Sequence, residues 1–128
     1  MTSAASYASA LLGSDPDAAR LRDLIEELAV VRGRVTLSSG AEADYYVDLR
    51  RTTLHHEAAP LIGRVMLGML DHTGIDFSAA GGLTMGADPV GTAVLHAAAA
   101  QDRAIDSFVV RKAPVSYTYL TLPTILRV

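Results

Sequence analysis

Apolar residues along this chain recur at two different periods. After Ser14-Asp15-Pro16-Asp17, which offers an N-cap and a first-turn proline, Leu21, Leu24, Ile25, Leu28 and Val31 follow at helical spacing. This predicts a helix with one buried face, stopped at Gly33, with Arg32 near its negative end. Residues 1–13 are small and weakly patterned, as in a loose helix or a disordered lead-in. Over residues 34–49 the period falls to two. Val35 and Leu37 alternate with polar residues, Ser38-Ser39-Gly40 turns the chain, and Tyr45, Val47 and Leu49 alternate again. That pattern predicts a β-hairpin with Tyr46, Asp48 and Arg50 on the opposite face.

Helical spacing returns over residues 57–71, with Pro60 in the first turn. Leu61, Ile62, Val65, Met66, Met69 and Leu70 make the predicted buried stripe, and His72-Thr73-Gly74 ends it. Residues 75–80 read as a strand, residues 89–100 as an Ala-rich helix, and residues 105–110 as a second strand. A strand, helix, strand order predicts parallel pairing through a right-handed crossover. His96 lies well along the Ala-rich helix, at an interfacial or exposed position.

The junction within residues 77–100 organises the rest. Gly81, Gly82 and Gly86 let the backbone approach a ligand closely and adopt positive φ, Asp88 suits an N-cap, and Pro89 suits the first helical position. Strand, glycine turn and helix N-terminus together favour an anion, because unpaired N–H groups and the helix dipole meet there. The spacing matches neither the dinucleotide fingerprint nor the lysine-ending phosphate loop. An ordinary tight connection in an α/β domain reads the same way. Asp88 would repel phosphate unless it caps the helix and points away. Ligands of open parallel sheets sit at the carboxyl ends of strands. Arg111 and Lys112 should therefore emerge beside the turn, as a pyrophosphate site requires.

Composition narrows the class. A chain of 128 residues is about one domain, and half of it is apolar, enough for a core. Net charge is −3 and the pI about 5.7, which argues against nucleic acid as a partner. The absence of cysteine removes disulfides, thiolate metal sites and Cys nucleophiles. The N-terminus lacks a basic region followed by a long apolar core, and no apolar run reaches membrane-spanning length, so a cytoplasmic protein with no membrane partner is expected. In His55-His56-Glu57 the adjacent histidines cannot share one helical face, so helix-start polar residues are expected rather than metal ligands. The Tyr46, Asp48 and Arg50 face is either a solvated edge or a seat for a planar anion. In the second case Tyr46 would stack and Arg50 or Arg51 would pair with a carboxylate.

Four blocks carry a family resemblance. They are Val35-Thr36-Leu37-Ser38-Ser39-Gly40, Ala43-Asp44-Tyr45-Tyr46-Val47-Asp48, Gly82-Leu83-Thr84-Met85-Gly86-Ala87-Asp88-Pro89-Val90 and Val109-Val110-Arg111-Lys112. In this order and spacing, over residues 21–113, the chain resembles orotate phosphoribosyltransferase of the actinobacterial type. The resemblance implies an α/β, type I phosphoribosyltransferase fold: a parallel sheet flanked by helices, with an N-terminal helix and a β-hairpin hood. Residues 14–52 would be the helix and hood and residues 53–113 a partial α/β core. The implied reaction joins orotate to 5-phosphoribosyl 1-diphosphate with Mg²⁺, giving orotidine 5′-phosphate and pyrophosphate in de novo pyrimidine synthesis. By position, Leu83, Thr84, Met85 and Gly86 would hold the pyrophosphate together with Arg111 and Lys112. The family's active form is a homodimer in which this lysine reaches the neighbouring site. Tyr45 and Tyr46 fall where the hood contacts orotate, and Ser38 stands where many relatives place a lysine. No side chain is implied as a nucleophile.

Beyond Ala113 the family pattern stops. Relatives continue with a mobile basic loop, a strand ending in two acidic residues and a Thr/Gly-rich loop for the ribose 5′-phosphate. Residues 114–128 contain no alanine, glycine or acidic residue. Such a shift in composition marks a boundary. This tail is expected not to be native family sequence, as a frameshift or read-through near codon 114 would produce, and the chain is expected to turn over weakly or not at all. A non-catalytic phosphate-binding or dimerisation module is the alternative. Sequencing the source locus should show a break in the family reading frame near codon 114; an uninterrupted native frame encoding the tail would refute that origin.

Overall fold

The computed structural model describes residues 13–113 together with Ser6, Ser9 and Ala10. Residues 114–128, on which the tail expectation falls, lie outside the described residues. The chain divides into two compact units, Met1–Ala58 and Ala59–Val128.

In the first unit, α1 spans Pro16–Leu24. Asp15 caps it, accepting from the Asp17 N–H at 2.9 Å, and Ala18, Leu21 and Leu24 are buried. The predicted helix is too long. After Leu24 the chain makes a π-helical turn, Ile25–Ala29, and Val30 already opens strand β1, Val30–Thr36. Strand pairing overrides the helical period here: Val30 faces Val47, Val31 faces Tyr46 and Arg32 faces Tyr45 on β2, Glu42–Val47. Gly33 is therefore not a helix stop. It sits at φ 117° where the ladder shifts register between Arg32 and Val35, as a β-bulge requires. The turn at Ser38-Ser39-Gly40 forms as predicted, with Gly40 at φ 86° donating to the Leu37 carbonyl at 2.8 Å. A short helix α2, Arg50–Thr53, follows, and its Thr52 is fully buried with its hydroxyl donating to Leu49 O at 2.7 Å.

The second unit packs two helices and a parallel pair of strands. Helix α3 spans Ala58–Thr73, β3 spans Ala79–Leu83, α4 spans Asp88–Ala99 and β4 spans Asp106–Val110. β3 and β4 pair in parallel, from Ala79 opposite Asp106 to Leu83 opposite Val110. The core gathers Leu67, Val94, Ala97, Ala98 and Ile105, with Met66, Phe77 and Ala80 packed against it. The predicted α3 stripe is partly corrected. Leu67, absent from that stripe, is fully buried, while Met69 is exposed. Strand β3 also begins later than predicted, leaving Ile75 exposed in the connection. Arg103 closes that connection by a two-point pairing with Asp71 at 2.8 and 2.9 Å, and its guanidinium lies 5.9 Å from the Phe77 ring centre. Among the described residues no helix is long and apolar enough to cross a membrane.

Small residues set how closely the layers approach. A Cβ on Gly63 would fall 2.3 Å from the Ala93 carbonyl oxygen, whereas one on Gly68, in the same helix, meets nothing within 4 Å. Gly63→Ala should thus destabilise the chain by about 1–3 kcal/mol through overpacking. Gly68→Ala should stabilise it by about 0.5–1 kcal/mol through helix propensity. Urea unfolding of the two variants checks the opposite signs, and equal effects would refute the α3–α4 contact. A second expectation concerns the first unit. Arg20 donates to both Glu57 oxygens at 2.7 and 3.0 Å, and this hydrogen bonding holds the Glu57 carboxyl below its ordinary value of 4.5. A lowered native value means that the pair's stabilisation is present above pH 4.5 and lost as pH falls through that lowered value. Carboxyl ¹³C titration should place the Glu57 midpoint below 4.5, and Arg20→Ala should return it toward 4.5.

Candidate functional site

Parallel register builds the site from its backbone. Because Leu83 lies opposite Val110, the segments leaving β3 and β4 start side by side at the carboxyl edge of the sheet. The Thr84 N–H donates to Val110 O at 2.8 Å, so the turn is tied to the residue that immediately precedes Arg111. The backbone of the turn and the backbone that leads to the basic pair thus leave the same strand edge. Arg111 and Lys112 are both exposed there.

The turn itself is short and stapled. The Ala87 N–H donates to Leu83 O at 3.1 Å, and the Gly91 N–H to Ala87 O at 2.9 Å begins the helical ladder. The Thr84–Met85 peptide bond is cis. Met85 and Gly86 form an exposed tip, with Met85 80% exposed. Among the described residues, the N–H groups of Met85 and Gly86 donate to no backbone carbonyl. Two such donors beside a helix N-terminus and two cationic residues suit an anion.

The glycines differ from expectation. None of Gly81, Gly82 and Gly86 adopts positive φ; Gly33, Gly40 and Gly74 do. Gly81 and Gly82 belong to β3 rather than to the turn, and their use is close approach. A Cβ on Gly81 would fall 2.0 Å from Phe108 O, and one on Gly91 would fall 2.7 Å from Ser107 Oγ and 2.9 Å from Ala80 O. These contacts seat α4 and β4 against β3. Asp88 also differs: α4 begins at Asp88, its N-cap is Ala87, and no side chain caps it. The Asp88 carboxylate instead accepts from Thr84 Oγ1 at 2.6 Å, and its other oxygen is buried without a hydrogen-bond partner.

The aromatic pair lies in the first unit. Tyr45 and Tyr46 are successive residues of β2 and so project to opposite faces of the hairpin, Tyr45 58% exposed and Tyr46 half-buried. Arg50 does not extend the strand, since it opens α2. Its guanidinium grips Asp48 through Nε at 2.7 Å and a terminal nitrogen at 2.9 Å, and the Arg51 Nε stands 4.0 Å from the same carboxylate. Hydrogen bonding from Arg50 holds the Asp48 carboxyl below its ordinary value. The planar-anion reading of this face therefore meets an arginine fork already engaged by Asp48. His55 accepts at Nδ1 from the N–H groups of Glu57 and Ala58 at 3.2 and 3.4 Å, a polar cap at the start of α3. His96 is exposed on α4. Among the described residues no three His, Asp or Glu side chains gather as a metal site, and the buried oxygen of Asp88 is closed to an outside ion.

Sequence reasoning located this edge through its glycines and its basic pair. It missed the Thr84–Asp88 staple, whose only signal was a threonine four residues before an acid.

No protein-family profile matches the chain. Curated relatives do. The orotate phosphoribosyltransferase of Streptomyces avermitilis is 66% identical over 89 residues, 70% of this chain and 48% of its own length. That of Mycobacterium tuberculosis is 61% identical over 97 residues, 76% of this chain and 51% of its own. Among solved structures, the M. tuberculosis H37Rv orotate phosphoribosyltransferase in complex with inorganic phosphate superposes with a TM-score of 0.67 at 61% identity, covering 76% of this chain and 55% of that one. The same enzyme in complex with 5-phospho-alpha-D-ribosyl 1-diphosphate gives 0.64 at 57% identity, covering 76% and 54%. The chain spans about half the length of the curated relatives it matches. With its parallel strand pair, flanking helices and antiparallel hairpin, it is similar to the actinobacterial orotate phosphoribosyltransferases over about half of their length and shares that part of their fold.

Proposed function

We propose that this chain serves the transfer of a phosphoribosyl group from 5-phosphoribosyl 1-diphosphate to orotate, giving orotidine 5′-phosphate and pyrophosphate in pyrimidine synthesis. The observation that carries this reading is the shared strand edge: Leu83, Thr84, Met85 and Gly86 begin beside the backbone that leads to Arg111 and Lys112. The M. tuberculosis relative solved with the same diphosphate donor supports it. Breaking the ribose C1–O bond leaves positive charge on the sugar and adds negative charge to the departing diphosphate. The Met85 and Gly86 N–H groups and the two basic side chains stabilise that departing charge. The bond from C1 to the orotate ring nitrogen then forms as that nitrogen's N–H bond breaks and its proton passes to the departing diphosphate or to solvent, and no protein nucleophile is needed. Tyr45 or Tyr46, one on each hairpin face, offers a ring for orotate to stack on.

Mg²⁺ belongs to this proposal as a companion of the diphosphate rather than as a protein-held ion. A homodimer acting in the cytoplasm, without nucleic acid or membrane partners, completes the reading. Differential binding of the transition state needs both ends of the donor held. The described residues supply a grip for the diphosphate end. A second reading is that the chain binds phosphate groups without turnover, for which the Met85 and Gly86 N–H groups, donating to no backbone carbonyl among the described residues, would suffice.

Calorimetry and a spectrophotometric orotate assay separate the two. Pyrophosphate should bind the chain, and Arg111→Ala or Lys112→Ala should weaken it by about tenfold, as loss of a charged hydrogen bond does. Orotate consumption with donor and Mg²⁺ above a chain-free control is expected from the transfer reading, and none from the binding-only reading. Absence of pyrophosphate binding would overturn the site, and turnover above that control would overturn the binding-only reading.

A further inference from the structure

Asp88 sits awkwardly in a diphosphate site. A carboxylate beside N–H donors repels the anion that those donors would bind. Its geometry answers the difficulty. Oδ2 accepts the Thr84 hydroxyl at 2.6 Å across the turn, and Oδ1 is sealed from solvent with no hydrogen-bond partner among the described residues. A buried acceptor left bare is destabilising, so its presence calls for a purpose.

That purpose is visible in how the turn is fastened. The Thr84 N–H is held by Val110 O at 2.8 Å, and the Ala87 N–H closes on Leu83 O at 3.1 Å. The Thr84 hydroxyl, held by Asp88, is the only side-chain fastening of the turn among the described residues. Between these points Met85 and Gly86 form the exposed tip, and no atom within 4 Å braces a Cβ built on Gly86. The tip therefore owes its conformation to its two ends. We propose that Asp88 is a positioning residue for pyrophosphate: by holding the Thr84 hydroxyl it fixes the turn that presents the Met85 and Gly86 amides, with its own charge folded inward. This rests on the diphosphate reading of the site and assigns the specific device that shapes it. The required property is a hydrogen-bond acceptor facing Thr84, and the negative charge is a burden.

Substitution separates the two properties. In calorimetry with pyrophosphate on the full chain, Thr84→Val and Asp88→Ala should each weaken binding by about fivefold or more, the loss of one net hydrogen bond. Thr84→Ser keeps the hydroxyl and should stay within about twofold, since its hydrogen bond is retained. Asp88→Asn keeps an acceptor while removing the charge, so it should bind as tightly as the unsubstituted chain or more tightly. Melting curves accompany each variant, and if Asp88→Ala unfolds, Thr84→Val, nearly the same shape as threonine, decides. The Met85 and Gly86 amide resonances should move on adding pyrophosphate, and should already be displaced in ligand-free Thr84→Val. Two outcomes overturn the proposal while leaving the site intact: Thr84→Val binding as well as the unsubstituted chain, or Asp88→Asn as weak as Asp88→Ala. Failure of the unsubstituted chain to bind pyrophosphate overturns the diphosphate reading, and the role of Asp88 with it.

Discussion

The in-register parallel pairing of β3 with β4 is the constraint on which the candidate site depends. Gly81 has no room for a side chain, because the Phe108 carbonyl occupies the place of a Cβ. Gly91 likewise lets the start of α4 rest on the β3 backbone and Ser107. Together these two positions bring strand, strand and helix N-terminus to one edge. The ladder from Ala79 to Leu83 against Asp106 to Val110 then determines which residues leave that edge together. A slip of one residue would carry the side chains of β4 to the opposite face and detach Thr84 from Val110. The chemistry proposed for Arg111 and Lys112 is in this sense a property of small residues elsewhere in the sheet.

The electrostatic pattern of each unit is one of acids engaged at short range by a neighbour. Asp48 is gripped by Arg50, Glu57 by Arg20, Asp71 by Arg103, and Asp88 by the Thr84 hydroxyl. Three of these four are arginine pairs in which at least one partner is exposed, where solvent screens much of the attraction. The fourth differs because an oxygen is buried and the donor is neutral. There the acid acts through the place its acceptor takes beneath the turn.

Much of the second unit was legible in the chain. Pro89 after a glycine-rich stretch marked the start of α4, and Ile105 with the following β-branched and aromatic residues marked β4. Boundaries were less legible where two signals overlapped. Val31 continues the helical period of Leu24 and Leu28, yet Val30 and Val31 pair with Val47 and Tyr46 in the hairpin. No local pattern reveals which partner wins, because the decision is made by a strand more than ten residues away. Leu67 escaped the predicted stripe for a related reason: α3 is buried on a wider arc than one face of a regular period. The site's donors were found from Gly86 and Pro89, whereas the function assigned to Asp88 needed the position of Thr84 in space.

The bulge at Gly33 has an effect on the hairpin beyond its local twist. Arg32 pairs with Tyr45 while Val35 pairs with Ala43, so one strand advances three residues as the other advances two. The surplus residue is taken up at the bulge, so Val35 keeps the face of Arg32 just as Ala43 keeps that of Tyr45. One strand thus carries an extra residue without turning the outer end of the ribbon over, and Leu37 and the Gly40 turn stay in phase with the base that carries Tyr46.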